Sequence, residues 1–305
     1  MRPVLSIIIP THDRPVQLRD CLVTLQTQAA NQEQLEVLVI DDGSKGDVAA
    51  AVDAVTGPIP MRCLRQPPGG LNVARNRGVA ETSGEIIAFL DDDTLVAPVW
   101  ARAVIAAFAR TGCAGLGGRV QLRFEGGVEP TWLARPQRNY LAELDLGPRP
   151  LWLESGPVPV GANCAVRRSE FERVSGFRDG LDRLGNSLIS NGDTEFFRRL
   201  RARGGRLRYE PVAEVVHQVP AERLTRDFFY ARARAQGISD ALLVELDDGA
   251  PARPARVARE LWRCGRTAPI LARGLATRRG TMNARQWVSY CQGRLGATVS
   301  GGQAK

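Results

Sequence analysis

No stretch of this 305-residue chain is apolar for anything near the about twenty residues that a membrane-spanning helix needs. The run from Val4 to Ile9 is also too short for a secretory signal, so a cytoplasmic location is expected. Cysteine is sparse and scattered: Cys21, Cys63, Cys113, Cys164, Cys264 and Cys291 form no CxxC pair and have no histidine at zinc-finger spacing. That excludes a disulfide framework and a zinc module, and leaves free, mostly buried thiols. Histidine is rarer still, with only His12 and His217. Internal repeats and low-complexity segments are missing, and an apolar fraction of 44% with 24% charged residues excludes disordered and fibrous classes.

An excess of basic charge is lacking from most of the chain despite a net charge of +8. Residues 1–221 hold 26 basic and 26 acidic residues, whereas residues 222–305 hold 15 and 7. The basicity therefore belongs to a C-terminal segment. A neutral body and a tail with no nucleic-acid module argue against a nucleic-acid partner.

What is present is an alternation of short apolar runs with helical patterns. Val4 to Ile9, Leu35 to Ile40 and Glu85 to Leu90 read as strands buried on both faces. Pro15 opens a helix carrying Leu18, Leu22 and Leu25, Leu71 to Thr82 follows a Pro-Pro-Gly-Gly turn, and Pro98 to Arg110 is a third helix. Such alternation predicts an α/β fold with a mostly parallel, doubly wound sheet. Residues 126–159 lack periodicity and are expected to form loops or a lid. Asp193 to Arg203 reads as a helix, Arg206 to Tyr209 and Ala213 to Val216 as two short strands, and the chain from Thr225 as helical.

In open α/β sheets ligands bind beyond the carboxyl ends of the strands. Those ends here read Pro10, Thr11, His12, Asp13, Arg14; then Asp41, Asp42, Gly43, Ser44; then Asp91, Asp92, Asp93. Alternate residues of an extended segment point the same way, so Asp91 and Asp93 form a DxD pair suited to Mg²⁺ or Mn²⁺. A solvated acidic turn is the alternative. Asp41 and Asp42 suit a base N–H or a ribose hydroxyl, or simply cap a turn. Gly69 and Gly70 precede a helix whose N-terminus can face an anion, with Asn72 in its first turn and Arg75 suited to a phosphate, although a plain turn has the same signature.

Taken in order, Ser6-Ile7-Ile8-Ile9-Pro10-Thr11, Val39-Ile40-Asp41-Asp42-Gly43-Ser44, Ala74-Arg75-Asn76-Arg77-Gly78 and Phe89-Leu90-Asp91-Asp92-Asp93 closely resemble the family 2 glycosyltransferases of the GT-A fold. The resemblance covers roughly the first 220 residues. It continues through Val160-Gly161-Ala162-Asn163-Cys164-Ala165-Val166-Arg167-Arg168, which is similar to the family's acceptor-side segment, and implies roles there for Gly161, Asn163 and Arg167. A Glu-Asp pair opens the family's next helix and its Asp acts as general base; here the stretch is Ser190-Asn191-Gly192-Asp193, so Asp193 is retained while Gly192 stands where Glu is usual. Helix capping would suit Asp193 equally.

The resemblance implies an inverting hexosyltransferase that moves a sugar from a nucleoside diphosphate sugar, UDP being favoured and guanosine or thymidine diphosphate open, to a hydroxyl of a glycan or lipid-linked acceptor. The setting it implies is polysaccharide, glycolipid or glycan biosynthesis. Pro10, Thr11, Arg14, Asp41, Asp42, Gly70, Asn72, Arg75, Asp91 and Asp92 would bind the nucleotide sugar, and Asp93, His217 and Asp91 the metal. His12 is expected to be structural, and His217 has a structural alternative too. Two competing readings are an inactive sugar-nucleotide-binding protein, suggested by Gly192, and a sugar nucleotidyltransferase, against which stands the lack of a glycine-rich loop after Ile9.

The expected division is a catalytic domain over 1–221, with a nucleotide-sugar half at 1–120 and an acceptor half at 121–221, followed by a helical extension over 222–305. Within 249–305 there are 11 basic residues and only Glu260 acidic. Val257, Leu261, Leu271 and Leu275 interspersed with Arg253, Arg256, Arg259, Arg263 and Arg266 are compatible with a basic amphipathic helix on an anionic membrane surface, or with a solvated or self-associating face.

Overall fold

A computed structural model describes residues 3–28, 34–182, 187–246, 254–262 and 278–300. Arg253, Arg263, Arg266, Leu271 and Leu275, named above for an amphipathic tail helix, lie outside them. The chain forms two compact units, one of residues 1–123, 142–179 and 192–219, the other of residues 124–141, 180–191 and 220–305.

The first unit is built on a sheet in the order β3-β2-β1-β4-β8-β6-β9-β5, with β7 paired to β9. Strands β1 (Leu5–Thr11), β2 (Leu35–Asp41), β3 (Met61–Arg65) and β4 (Ile86–Leu90) are mutually parallel, as the strand–helix alternation predicts. Every residue of β1 and β4 is buried, which is why these strands read as unbroken apolar runs rather than alternating ones. The other half departs from the expected parallel arrangement. Strand β8 (Asn163–Arg167) runs antiparallel to β4 and to β6 (Gly115–Phe124), and β9 (Leu207–Val219) runs antiparallel to β5 (Thr94–Val96) and β7 (Leu151–Trp152). The sheet is therefore mixed.

Crossover helices cover the parallel half. Helix α1 (Pro15–Gln26) has Pro15 in its first turn and buries Leu18, Cys21, Leu22 and Leu25, an i, i+3, i+4, i+7 stripe. Helix α2 is Val48–Asp53, capped by the Asp47 carboxylate, and α3 is Leu71–Ala80. Helix α4 (Trp100–Thr111) ends on Gly112, whose left-handed φ of 61° suits glycine. Helix α5 (Arg135–Arg138) belongs to the second unit, and α6 (Arg168–Arg173) and α7 (Gly192–Ala202) complete the first. Two expectations change here. The segment 126–159 contains α5 and β7, and the two short strands around Pro211 are one strand, β9, because proline is tolerated where the neighbouring pairing is interrupted: β7 pairs only residues 208 and 209, and β5 only residues 215–217.

The second unit centres on α8 (Arg226–Glu245), capped by the Thr225 hydroxyl, and α10 (Arg278–Ser300), with α9 at residues 254–262. Glycines let α8 and α10 cross closely: a Cβ at Gly237 would strike the Tyr290 carbonyl, and one at Gly293 the Arg234 carbonyl. The Asp240 carboxylate accepts from Tyr290 Oη at 2.7 Å and from Gln236 Nε2 at 2.8 Å. Phe229 packs edge-on against Trp132. Among the described residues no helix is long and apolar enough to cross a membrane.

Candidate active site

Register places the site. Thr11 stands opposite Asp41, and Asn163 opposite Leu90, so the carboxyl ends of β1, β2 and β4 and the start of β8 share one sheet edge. His217 joins them by pairing opposite Thr94, just past the acidic run. At this edge Asp92 and Asp93 are 5% and 4% exposed, and both are tied to β1 and its following loop: Thr11 Oγ1 donates to Asp92 at 2.7 Å, and Arg14 Nη1 reaches Asp92 at 3.2 Å and Asp93 at 2.9 Å. Burial, and then the Asp93 charge, push the Asp92 carboxyl up to about 6 against the opposing pull of Arg14 and Thr11. Burial works against the Arg14 charge, but Asp92, Asp93 and Asp91 outweigh it and hold the guanidinium protonated.

His217 Nε2 lies 3.0 Å from Asp93 Oδ1, both side chains being buried. Asp91 Oδ1 lies 3.3 Å from Arg75 Nη2. Among the described residues no three His, Cys, Asp or Glu side chains gather as a metal-holding group. The structure thus brings together two of the three expected ligands, Asp93 and His217. Two donors suit Mg²⁺ or Mn²⁺, because such ions bind nucleotide substrates through one or two protein groups while phosphate oxygens and water complete an octahedron. Neighbouring ligands about 2.1 Å from such an ion lie about 3 Å apart, the spacing found for this pair.

The loops around the edge use their carboxylates internally. Asp42 accepts from Gln66 Nε2, Gly69 N and Gly70 N, each at 2.8 Å, and Asp41 accepts from Ser44 N at 2.8 Å. Gly70, the residue before α3, has a φ of 94° that L side chains resist, so the carboxylate of Asp42 fixes a turn that glycine alone adopts comfortably. Asn72 is fully buried and donates to the Arg178 carbonyl at 2.7 Å. His12, expected to be structural, lies 2.9 Å from the Asp42 carbonyl through Nδ1. Pro10 is a buried residue of β1.

Asp193 sits in the first turn of α7, where its Oδ2 accepts from Gly161 N at 2.6 Å. A Cβ at Gly192 would collide with the Asn72 side chain, so the glycine found where the resembled family has Glu is matched by a neighbour that fills its space. The bond to Asp193 sets Gly161, just before β8, against that carboxylate. Asn163 is spent on the sheet, accepting from Trp100 Nε1 at 2.9 Å and donating to the carbonyls of Arg119 and Ala213. Arg167 is not brought to this edge: it lies at the opposite end of β8, four residues or about 13 Å of strand away, bonded to the carbonyls of Cys113 and Phe108. Arg75, expected at a phosphate, is only 3% exposed.

Sequence reasoning missed Gln66, whose side chain donates to the Asp42 carboxylate that holds the turn, and Arg178, whose carbonyl accepts from Asn72 in the first turn of α3. Neither lies in a motif or a periodic pattern. Glu195, 5% exposed and bonded to Arg199 at 2.7 Å, was in principle visible as an i, i+4 pair.

Residues 6–175 match the family model described as Glycosyl transferase family 2. The chain belongs to that family. The Succinoglycan biosynthesis protein ExoM of Rhizobium meliloti is 28% identical over 223 residues, covering 72% of this chain and 68% of that protein. Glycosyltransferase AglE of Haloferax volcanii is 26% identical over 200 residues, covering 65% of this chain and 61% of that one. The family 2 chain thus spans about two thirds of the length of these curated relatives. Among solved structures, a mannosyltransferase from Pyrobaculum calidifontis, determined with GDP-Man and Mn²⁺, superposes with a TM-score of 0.59 at 18% identity, covering 99% of this chain and 75% of that one. At that identity the likeness shows the shared GT-A architecture.

Proposed function

We propose that this family 2 glycosyltransferase moves a sugar from a nucleoside diphosphate sugar, UDP being the favoured carrier, to an acceptor hydroxyl with inversion at the anomeric carbon. The observation that carries the reading is the gathering of Asp92, Asp93, Arg14 and His217 at one sheet edge, with Asp193 bonded to the strand start beside them through Gly161. The nucleotide lies against Pro10, Thr11 and the Gly70–Asn72 turn, whose shape Asp42 maintains while Asp41 holds the neighbouring turn at Ser44. Arg14, one-third exposed and already bridging two carboxylates, turns toward the diphosphate when the donor binds. Asp93 and His217 would hold a Mg²⁺ or Mn²⁺ ion, which would supply neutralisation of the charge on the leaving diphosphate. Asp193 takes the proton of the acceptor hydroxyl as that oxygen attacks from the face opposite the diphosphate. No covalent bond to the protein is required.

A relative named for succinoglycan biosynthesis and a structural neighbour solved with GDP-Man and Mn²⁺ support a sugar-nucleotide donor and an acceptor in polysaccharide or glycan assembly. We assign catalysis to residues 1–221, and to the basic extension after them, above all residues 249–305, contact with an anionic membrane surface from the cytoplasmic side.

Thermal stabilisation by UDP-glucose, GDP-mannose and dTDP-glucose, each with and without Mn²⁺, tests the donor. Stabilisation by at least one of them should require the ion and disappear in Asp93→Asn and His217→Ala. Hydrolysis of the same donor should fall 10²–10⁴-fold in Asp193→Asn, the usual contribution of a general base. Stabilisation of equal size without metal, or full turnover in Asp193→Asn, contradicts the reading. Tight binding with no transfer to any acceptor or water favours an inactive binding protein.

A further inference from the structure

Arg75 has a surprising place for a residue whose position in the sequence suggests a phosphate ligand. It projects from α3, and its side chain is 3% exposed. One nitrogen, Nη2, faces two acceptors from different strands: Asp91 Oδ1 at 3.3 Å, at the end of β4, and the Gly161 carbonyl at 3.2 Å, just before β8. The guanidinium carbon lies 5.4 Å from the Phe177 ring centre and 6.0 Å from that of Phe89, so aromatic faces support the cation in place of water. On the other side of the same residue, the Gly161 N–H, which belongs to the preceding peptide group, donates to Asp193 Oδ2 at 2.6 Å. A Cβ at Gly161 would collide with Nη2, so glycine there leaves the guanidinium its place. A continuous chain of contacts therefore runs from Asp91 through Arg75 and the backbone of Gly161, in by its carbonyl and out by its N–H, to Asp193.

We propose that Arg75 is a positioning residue, which clamps the Gly161 carbonyl to Asp91 and thereby, through the N–H of the same residue, sets the Asp193 carboxylate at a fixed distance from the acidic edge. This rests on the reading of Asp193 as the base and deepens it. A planar fork lying on two rings and bonded to two acceptors suits this task, and a lysine ammonium cannot reproduce it. Misplacing a reacting group by about 1 Å costs about 100-fold in rate, so loss of the clamp should act on turnover rather than on donor affinity.

The experiment uses the full chain and three readouts. Hydrogen–deuterium exchange of short peptides spanning residues 158–163, in the protein without ligand, reports the Gly161 amide; exchange should quicken in Arg75→Lys and Arg75→Met, and wild-type exchange in both overturns the proposal. Binding of UDP or GDP with Mn²⁺ should stay within about 3-fold of wild type while kcat for hydrolysis of whichever sugar nucleotide is bound falls about 100-fold. Affinity falling in step with kcat makes Arg75 a donor ligand and overturns the proposal. Gly161→Ala attacks the same contact from the other side and serves where an Arg75 variant does not fold. Arg75→Lys combined with Gly161→Ala should lose no more than the worse single change, because both break one contact; losses that multiply overturn the proposal. Asp193→Asn separates the two ideas: full turnover in that variant removes the base, while the exchange of residues 158–163 still decides the clamp.

Discussion

Asp42 separates two descriptions of the nucleotide edge. If its carboxylate serves the ligand, replacing it weakens nucleotide binding and leaves the free protein as stable as before. If it serves the turn before α3, the free protein suffers first. Its two oxygens accept three hydrogen bonds of 2.8 Å, from Gln66 Nε2, Gly69 N and Gly70 N. Hydrogen bonds to a charged group contribute about 1.5–3 kcal/mol each, and stranded donors cost about 1–3 kcal/mol where buried. Part of this returns as hydration at Gly69, so Asp42→Ala should cost about 3–5 kcal/mol. Asp42→Asn keeps one oxygen acceptor but sets its NH₂ group against an N–H, and should cost about 2 kcal/mol. Urea unfolding without nucleotide measures both, read by tryptophan fluorescence in a variant that keeps only the fully buried Trp100 as a reporter of the first unit. The midpoint should fall with little change in slope. An Asp42→Ala protein within about 1 kcal/mol of wild type would refute the internal role, since three unsatisfied donors cannot be so cheap.

The close crossing of α8 and α10 predicts that Gly237→Ala, which drives a methyl group into the Tyr290 carbonyl, destabilises the second unit by about 1–3 kcal/mol, read as a lower denaturation midpoint in the full chain. Gly296→Ala, with open space around the added atom, is the control and should change little. Burial, partly offset by the Thr94 hydroxyl and reinforced by the Asp91–Asp93 charges, pushes the Cys21 thiol up to about 12 from 9.0. The folded state therefore keeps a proton that the unfolded chain loses above pH 9, so stability falls as pH rises from 9 toward 12. Cys21→Ala should flatten that fall in alkaline unfolding curves, and an unchanged slope would contradict the shift. At pH 8 the native protein should leave Cys21 unalkylated by iodoacetamide.

The sequence by itself determined the parallel half of the sheet, because strands buried on both faces must be continuously apolar and helical segments such as α1, with its one apolar stripe, lie between them. It also determined where the acidic groups gather, since parallel strands bring their carboxyl ends to one edge, and the order of four motifs along about ninety residues identified the family. The antiparallel half was not legible in this way. Strands β5, β6, β8 and β9 pair across long separations, and nothing local to Pro211 reveals that the chain continues as one strand through it. The tertiary structure alone decided which of the chemically suitable side chains face the site. Asp42, Asp91 and Arg75 have the right chemistry for a nucleotide, but each is engaged by groups from distant parts of the chain, while Arg167 is carried to the far end of β8. A motif specifies residue types at a spacing, whereas the availability of a charge depends on partners that only folding brings within hydrogen-bond reach.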